Sequence, residues 1–384
     1  MHELAGLLLE REDAAVSPLS IELCLAMLLA GAAVDTHDAP DAPDADADAP
    51  PTDAPAQPST SATHRQLCAA LGLDPLAEHH FLDTCKHLRA ELAAEVANVQ
   101  VNLASALFCA AGIKDAYTAL CAERLDAQVL PLTTSAGINA WVAERTKGMI
   151  AEVLTEDPPG PLVLVQTLVF TAKFTYLFDP AKTKPAMFDR RGPGPVQVQM
   201  MTMTAKLRYT ANNAVQVVEL PYGKAEDGHP FVAYVFLPQG TSCLHKTVRT
   251  LISDHEAFEE VVECLEDTYL ELSLPKFSVD CSSSIVDALK ALGVEAPFGA
   301  AADFARMTDE PVFVQDVLHA VRIQVDEKGT KAAAATAAVI ALRGHRPPRR
   351  DPVVMTVSSP FVFVVAHPAT KTLLFAAVVS NPVA

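Results

Sequence analysis

DEKGTKAAAATAAVIALRGHRPPRRD, residues 326–351, decides how this chain is read. Eleven of its residues, Ala332 to Leu342, are almost all Ala, Val, Ile or Leu, and Arg343, Gly344 and His345 follow at once. Alanine has the highest helix propensity, so local preference alone makes the run a helix. Such a helix would have no polar face and no large side chains with which to dock. Small, nearly uniform side chains suit a segment that must fit tightly between other backbones.

Working outward, the chain has 384 residues, half of them hydrophobic, enough for a large core in one or two domains. Its formal charge of −18 argues against nucleic acid or an anionic membrane as partner, since both select basic surfaces. The acidity is concentrated: no Lys or Arg occurs between Arg11 and Arg65, and seven Asp fall between Asp35 and Asp53. The first residues, MHELAGLLLEREDAAVSPLS, lack the basic start and apolar run of a signal peptide. The expectation is a cytoplasmic location or leaderless export, with an extracellular location as the alternative. Ile21 to Ala33 contains Glu22 and is too short to span a bilayer. Eight cysteines are scattered without Cys-x-x-Cys spacing, and Cys24, Cys109 and Cys264 sit in apolar periodic segments. They read as buried free thiols.

Residues 37–63, HDAPDAPDADADAPPTDAPAQPSTSAT, carry no large apolar side chain. They cannot bury enough surface to offset ordering entropy and are expected to be a disordered insertion between two helices. Helical patterns come early: from Ser17–Pro18, Arg65 to Leu71, Phe81 to Val96, Thr118 to Leu125 and Ala136 to Leu154. Strand signals then dominate. LVLVQTLVF (Leu162–Phe170) is continuously apolar, as in a strand buried on both faces. AVQVVELPY, PFVAYVFLP, YLELSLPKFSV, AVRIQVDE, SPFVFVVAH and TLLFAAVVS follow, with helical patterns at Val248 to Cys264 and Ser284 to Leu292. Helices first and strands later indicate an α+β protein with large, mostly antiparallel sheets.

Familiar catalytic motifs are missing: no Gly-x-Ser-x-Gly, no Gly-Lys-Ser/Thr loop and no His-Glu-x-x-His. The densest ligand-like cluster, His79, His80, Cys85 and His87, lacks a metal-site spacing. No enzyme activity, cofactor or metal is expected.

Segments in order along the chain resemble the serpins, the serine protease inhibitor family. SPLSIELCLAMLLAGA, INAWVAERTKGMIAEVL, FDPAKTKPAMF, VQVQMMTMT, VVELPY, LPKFSV, ADFARMT, VLHAVRIQVDEKGT and SPFVFVV…LLFAAVVSNP carry the resemblance from about Glu3 to Pro382. It implies a single domain over 1–384, α+β, with about nine helices around three β-sheets and an exposed reactive-centre loop at about 327–352. The sequence departs from the family where Gln166 stands for Asn, Phe174 for Trp, and Arg306 and Ala377 for glycines. The Asn normally helps to latch the central sheet.

The resemblance also implies a function: a suicide-substrate inhibitor that traps the acyl-enzyme by inserting its cleaved loop into the central sheet. Inserted residues alternate between faces. Thr330, Ala332, Ala334 and Thr336 form one set, small and free of charge and proline, and Gly329 supplies freedom for the turn. The alanines are then a strand in waiting. Family spacing, seventeen residues from Glu327, sets the scissile bond at Arg343–Gly344. Arg346–Pro347 is a poor rival, because most serine proteases refuse proline after the bond. Cleavage after Arg349 would lengthen the tether by roughly 20 Å at about 3.3 Å per residue. Arg343 implies a trypsin-like partner in a covalent complex, its guanidinium meeting a carboxylate in the protease pocket. Lys276 and Glu327 match a pair gating the top of the sheet. Ser17, Ser20, Gln166 and His319 match its latch. Lys86 and Arg89 are too few basic residues on their helix to bind heparin, and a monomer is expected. The alternatives are a non-inhibitory binding or chaperone serpin, which the small hinge residues oppose, and a cysteine protease inhibitor, which Arg343 disfavours for caspases.

Overall fold

The computed structural model describes residues 2–9, 13–34, 61–94, 96–190, 192, 194–224, 230–240, 244–330 and 351–383. In chain order they form α1 (His2–Leu8), β1 (Ala15–Val16), α2 (Pro18–Gly31), α3 (Ala62–Leu71), α4 (Glu78–Leu92), β2 (Val99–Cys109), α5 (Asp115–Leu125), β3 (Gln128–Pro131), α6 (Ser135–Arg145) and β4 (Leu162–Lys173). Next come β5 (Lys184–Asp189), β6 (Pro195–Ala211), β7 (Val215–Pro221), β8 (Val232–Pro238), α7 (Leu244–Ile252) and α8 (His255–Glu263). The chain continues through β9 (Glu266–Pro275), β10 (Phe277–Ser284), α9 (Val286–Ala291), β11 (Val314–Asp326), β12 (Gly329–Thr330), β13 (Val353–Thr356), β14 (Phe361–His367) and β15 (Thr372–Val379).

The central sheet runs β10–β11–β12–β4–β2–β3, and below β12 the strands β11 and β4 pair directly, in parallel. β4 shows why LVLVQTLVF is continuously apolar. Leu162, Leu164, Leu168 and Phe170 face the main core, over α2. Val163, Val165 and Val169 face a second core that includes Ile138 and Val142 of α6. Period-two alternation thus buries both faces of β4, and the polar Gln166 and Thr167 are buried with them. α2 is likewise apolar on every side, and every residue in it except Glu22 is buried.

The remaining strands form one hydrogen-bonded network, β1–β15–β14–β8–β7–β6–β9–β13, with β5 on β6. β6 is 17 residues long and serves two sheets. Its earlier part pairs with β5 and β9, and Tyr209–Ala211 pair with β7. The expected three sheets are therefore present, two of them sharing β6.

Some boundaries differ from expectation. The helix expected over Ala136–Leu154 ends at Arg145, because Lys147 (φ 53°) and Gly148 (φ 76°) turn left-handed. The pattern over Val248–Cys264 is two helices, and Asp254 caps the second by accepting from the Glu256 and Ala257 N–H groups. Cys264, expected to be buried, is exposed at the end of that helix. The insertion expected over 37–63 does not extend to its last residues. Ser61 caps α3, and the buried Thr63 accepts from the Asp303 N–H at 3.0 Å. Residues 37–60 lie outside the described residues. Where the chain returns, the Ser61 N–H donates to the Ala33 carbonyl at 3.4 Å, so the two ends of the insertion meet. No described helix is long and apolar enough to cross a membrane.

Candidate functional site

After β11 the chain turns through Glu327 and Lys328 and re-enters the central sheet as β12. Gly329 pairs with Lys173 and Asp326, and Thr330 with Ala172 and Val325, antiparallel to both neighbours. Gly329 has φ +137°, and a Cβ there would lie 2.3 Å from the Ala172 carbonyl oxygen. Only glycine fits that approach. Thr330 is 2% exposed, with its hydroxyl 2.8 Å from the Tyr222 hydroxyl. Tyr222 stacks on Phe174 (centroids 4.9 Å, 15°) and meets Phe170 edge-on. Burial pushes the Tyr222 phenol pKa up, so it stays protonated and can donate or accept.

Beside this turn, Lys276 Nζ lies 2.6 Å from Glu327 Oε1, and the Thr183 hydroxyl donates to the same oxygen at 2.8 Å. The Phe178 N–H donates to the Glu327 carbonyl, and the Phe174 N–H to the Lys328 carbonyl. Burial pushes the Glu327 carboxyl up, but Lys276, its own backbone and Thr183 outweigh that and hold it below the usual value. Lys276 is 37% exposed, so the pair itself is modest in energy. Its geometry still ties the turn to the start of β10.

Lower in the sheet, the Ser17 N–H donates to His319 Nε2 at 3.0 Å, so that nitrogen carries a lone pair. The neutral ring must then bear its proton on Nδ1, which faces the Ser20 hydroxyl at 3.2 Å. The Ser20 hydroxyl donates to the Ser17 carbonyl at 3.3 Å, and the Ser20 N–H donates to Ser17 Oγ. Burial holds the His319 pKa down to about 3, which keeps the ring neutral. One imidazole thus joins β11 to the start of α2.

Gln166 stands beside His319 in the β4–β11 register but turns away from it. Its Oε1 accepts from the Ser105 hydroxyl at 2.7 Å, and its amide meets Met27 Sδ at 3.8 Å. Expected as a member of the latch, Gln166 instead bonds away from the β4–β11 seam, to Ser105 of β2 on the other side of β4 and to Met27 of α2.

Ala332, Ala334, Thr336, Arg343 and Gly344 lie outside the described residues. The chain reappears at Asp351 and enters β13 at the edge of the smaller sheet, parallel to β9. Elsewhere, His79, His80 and His87 are exposed on α4 while Cys85 is buried, so the four do not converge. No cluster of three or more metal-ligating side chains occurs among the described residues. Sequence reading missed Tyr222 and Thr183. Tyr222 ends VVELPY, a phenol at a strand terminus, and its partner is 108 residues away.

The central sheet thus holds Gly329 and Thr330 at one end between β11 and β4, which pair directly with each other below. Comparison with known proteins gives the family. The profile of Serpin (serine protease inhibitor) matches residues 56–382, and the chain belongs to that family. Serpin-ZXA of Oryza sativa subsp. japonica is 30% identical over 391 residues, covering 96% of this chain and 90% of that protein. Serpin-Z2B of Triticum aestivum is 28% identical over 388 residues, with the same coverage. Human thyroxine-binding globulin shares the fold, with TM-score 0.81 at 20% identity over 99% of this chain and 97% of that one. The thermophilic serpin tengpin gives TM-score 0.80 at 21% identity, over 99% and 92%.

Proposed function

We propose that this serpin is a suicide-substrate inhibitor of trypsin-like serine proteases, with Arg343–Gly344 as the bond presented. The observation that carries the reading is the seat of Thr330 between β11 and β4. A strand entering there is already antiparallel to both neighbours. Continuing its alternation sends Ala332, Ala334 and Thr336 to the same face as Thr330, toward the main core that holds Tyr222 and α2. Lys331 and Ala333 fall on the opposite face. A large or charged side chain in the first set would have to be buried, and this sequence has none there.

In this reading the protease serine attacks the Arg343 carbonyl and forms an ester, and the amine of Gly344 leaves. The freed hinge then extends from Thr330 downward, parting the eight β4–β11 register pairs between Val314–Arg322 and Leu162–Val169. Loop insertion in this family is itself a standard example of strand addition and of the release of stored strain. Inhibition is a race between insertion and hydrolysis of the ester. The gate at Lys276–Glu327 and the latch at His319 lie on the path of the entering strand, and set its rate. The test is thermal denaturation of intact chain against chain cleaved at Arg343. The cleaved form should denature far above the intact form, because the loop has completed an antiparallel sheet. Equal midpoints would refute insertion.

A further inference from the structure

Three cavities, of about 800, 290 and 250 Å3, lie along the N-terminal half of β2. Phe231 and Lys173 wall the first, Arg89 and Leu92 the second, and Trp141 and Arg145 the third. Val101 borders all three, so they adjoin one another along β2, past the ends of α4 and α5 to α6.

The floor of the groove is an open sheet edge. β4 pairs with β2 over Val99–Cys109, but on the other side β3 begins only opposite Ala106. The Lys173 N–H donates to the Asn98 carbonyl at 2.9 Å, so even-numbered residues of β2 bond inward to β4. The odd-numbered ones then point outward. Consistently, the Cys109 carbonyl accepts from the Leu132 N–H, and the Val99 N–H donates to Val96. Between them, Val101 and Leu103 face outward with no strand opposite among the described residues. Both side chains are half-buried.

The charge of the groove opposes that of the chain. Five of the seven charged residues lining the three cavities are basic, whereas the whole chain is at −18. Lys86 is paired with Glu123, and Arg124 with Asp83 and, more distantly, Glu123. Arg89 gives one nitrogen to Asp126 at 2.8 Å, and its buried Nη1 has no hydrogen-bond partner among the described residues. Lys173 and Arg145 have no acidic partner among the described residues, and Arg145 lies over the Trp141 ring at 5.8 Å.

We propose that this edge takes an extended acidic segment of a partner protein as an added strand. Main-chain groups of the segment bond to Val101 and Leu103, its apolar side chains cover the half-buried face, and its carboxylates reach Lys173 and Arg145 at the two ends. The open stretch lies between Val99, whose N–H is taken by Val96, and the start of β3 opposite Ala106, so an added strand is centred on Val101 and Leu103, and from Val99 to Ser105 there is about 20 Å at about 3.3 Å per residue to hold it. A polysaccharide or nucleic-acid polyanion offers no alternating N–H and C=O groups and would leave the edge unpaired.

The test uses the full chain and a labelled heptapeptide of alternating Glu and Val, followed by fluorescence anisotropy and amide hydrogen exchange. Saturable binding is expected, with slowed exchange at Val101 and Leu103. A Lys/Val peptide, and a Glu/Val peptide N-methylated at alternate residues, should bind at least ten-fold more weakly. The pair Lys173→Glu and Arg145→Glu should lose at least ten-fold. Should that variant fail to fold, the peptide controls on the unaltered chain still decide. Equal binding of the N-methylated peptide, or displacement by heparin without amide protection, would overturn the added strand. Binding that appears only after deletion of residues 35–60 would give the groove to the chain's own acidic tract and overturn the partner. Protection at Val101 in a concentration-dependent dimer without peptide would do the same, in favour of a second copy.

Discussion

The hydroxyl of Thr330 lies 2.8 Å from that of Tyr222, between two strands that pair directly with each other a few residues below. The hinge is thus seated in the sheet before any bond is cut. Removing one partner leaves the other buried and unsatisfied, at about 1–3 kcal/mol. Tyr222→Phe and Thr330→Val should each destabilise the intact chain. The double variant should lose clearly less than their sum, as measured by denaturant unfolding. Strictly additive losses would show that the contact carries no coupling.

Thr330→Arg places a charge where a 2% exposed threonine sits. Burying it unpaired costs several kcal/mol, so the hinge should undock and insertion should slow. The variant should be cleaved at Arg343 as a substrate, with a stoichiometry of inhibition well above that of the unaltered chain. Its cleaved form should gain less heat resistance. Unchanged stoichiometry would point to tight reversible docking as the source of inhibition.

His319 gives the latch a pH dependence. Its ordinary pKa is 6.5, burial lowers it to about 3, and no charged neighbour contributes. Between those values the unfolded chain holds a proton that the folded chain does not. Stability from this group is therefore full above about pH 6.5 and falls as the pH drops, by about 1.4 kcal/mol per unit. Protonation would also set an N–H at Nε2 against the Ser17 N–H. Thermal midpoints from pH 7.5 to 5 should fall, and His319→Gln should flatten the slope. An unaltered slope would assign it to other groups.

Deleting residues 37–60 should leave the rate of complex formation within a few-fold. The ends of the segment meet at the Ser61–Ala33 hydrogen bond, so a short linker closes the gap. A large loss would show that the tract contributes to protease binding or to sheet support.

Much of this was legible before the coordinates. The alternation of β4, the Ser17–Pro18 helix start and the small hinge residues each follow from a local pattern. The gate came only from the family resemblance, in which Lys276 and Glu327 match a known pair, and not from any local pattern; the structure adds their 2.6 Å contact. Three features were not legible. Tyr222 reaches Thr330 across 108 residues, and no periodicity announces a hydrogen bond at that separation. Gln166 differs from the family's residue by one methylene, and only packing decides that it meets Ser105 rather than His319. β2 mixes Gln100, Asn102 and Ser105 with apolar residues because its outer half lines an open groove, so the run carries a weaker strand signal than β4.

The most direct measurement is an SDS gel of the chain mixed with trypsin, with N-terminal sequencing of the released peptide. A covalent trap with Arg343 as the residue read by the protease gives an SDS-stable adduct and a peptide beginning at Gly344, and Arg343→Ala abolishes both. Complete cleavage without adduct, or a peptide beginning at Arg350, would contradict it.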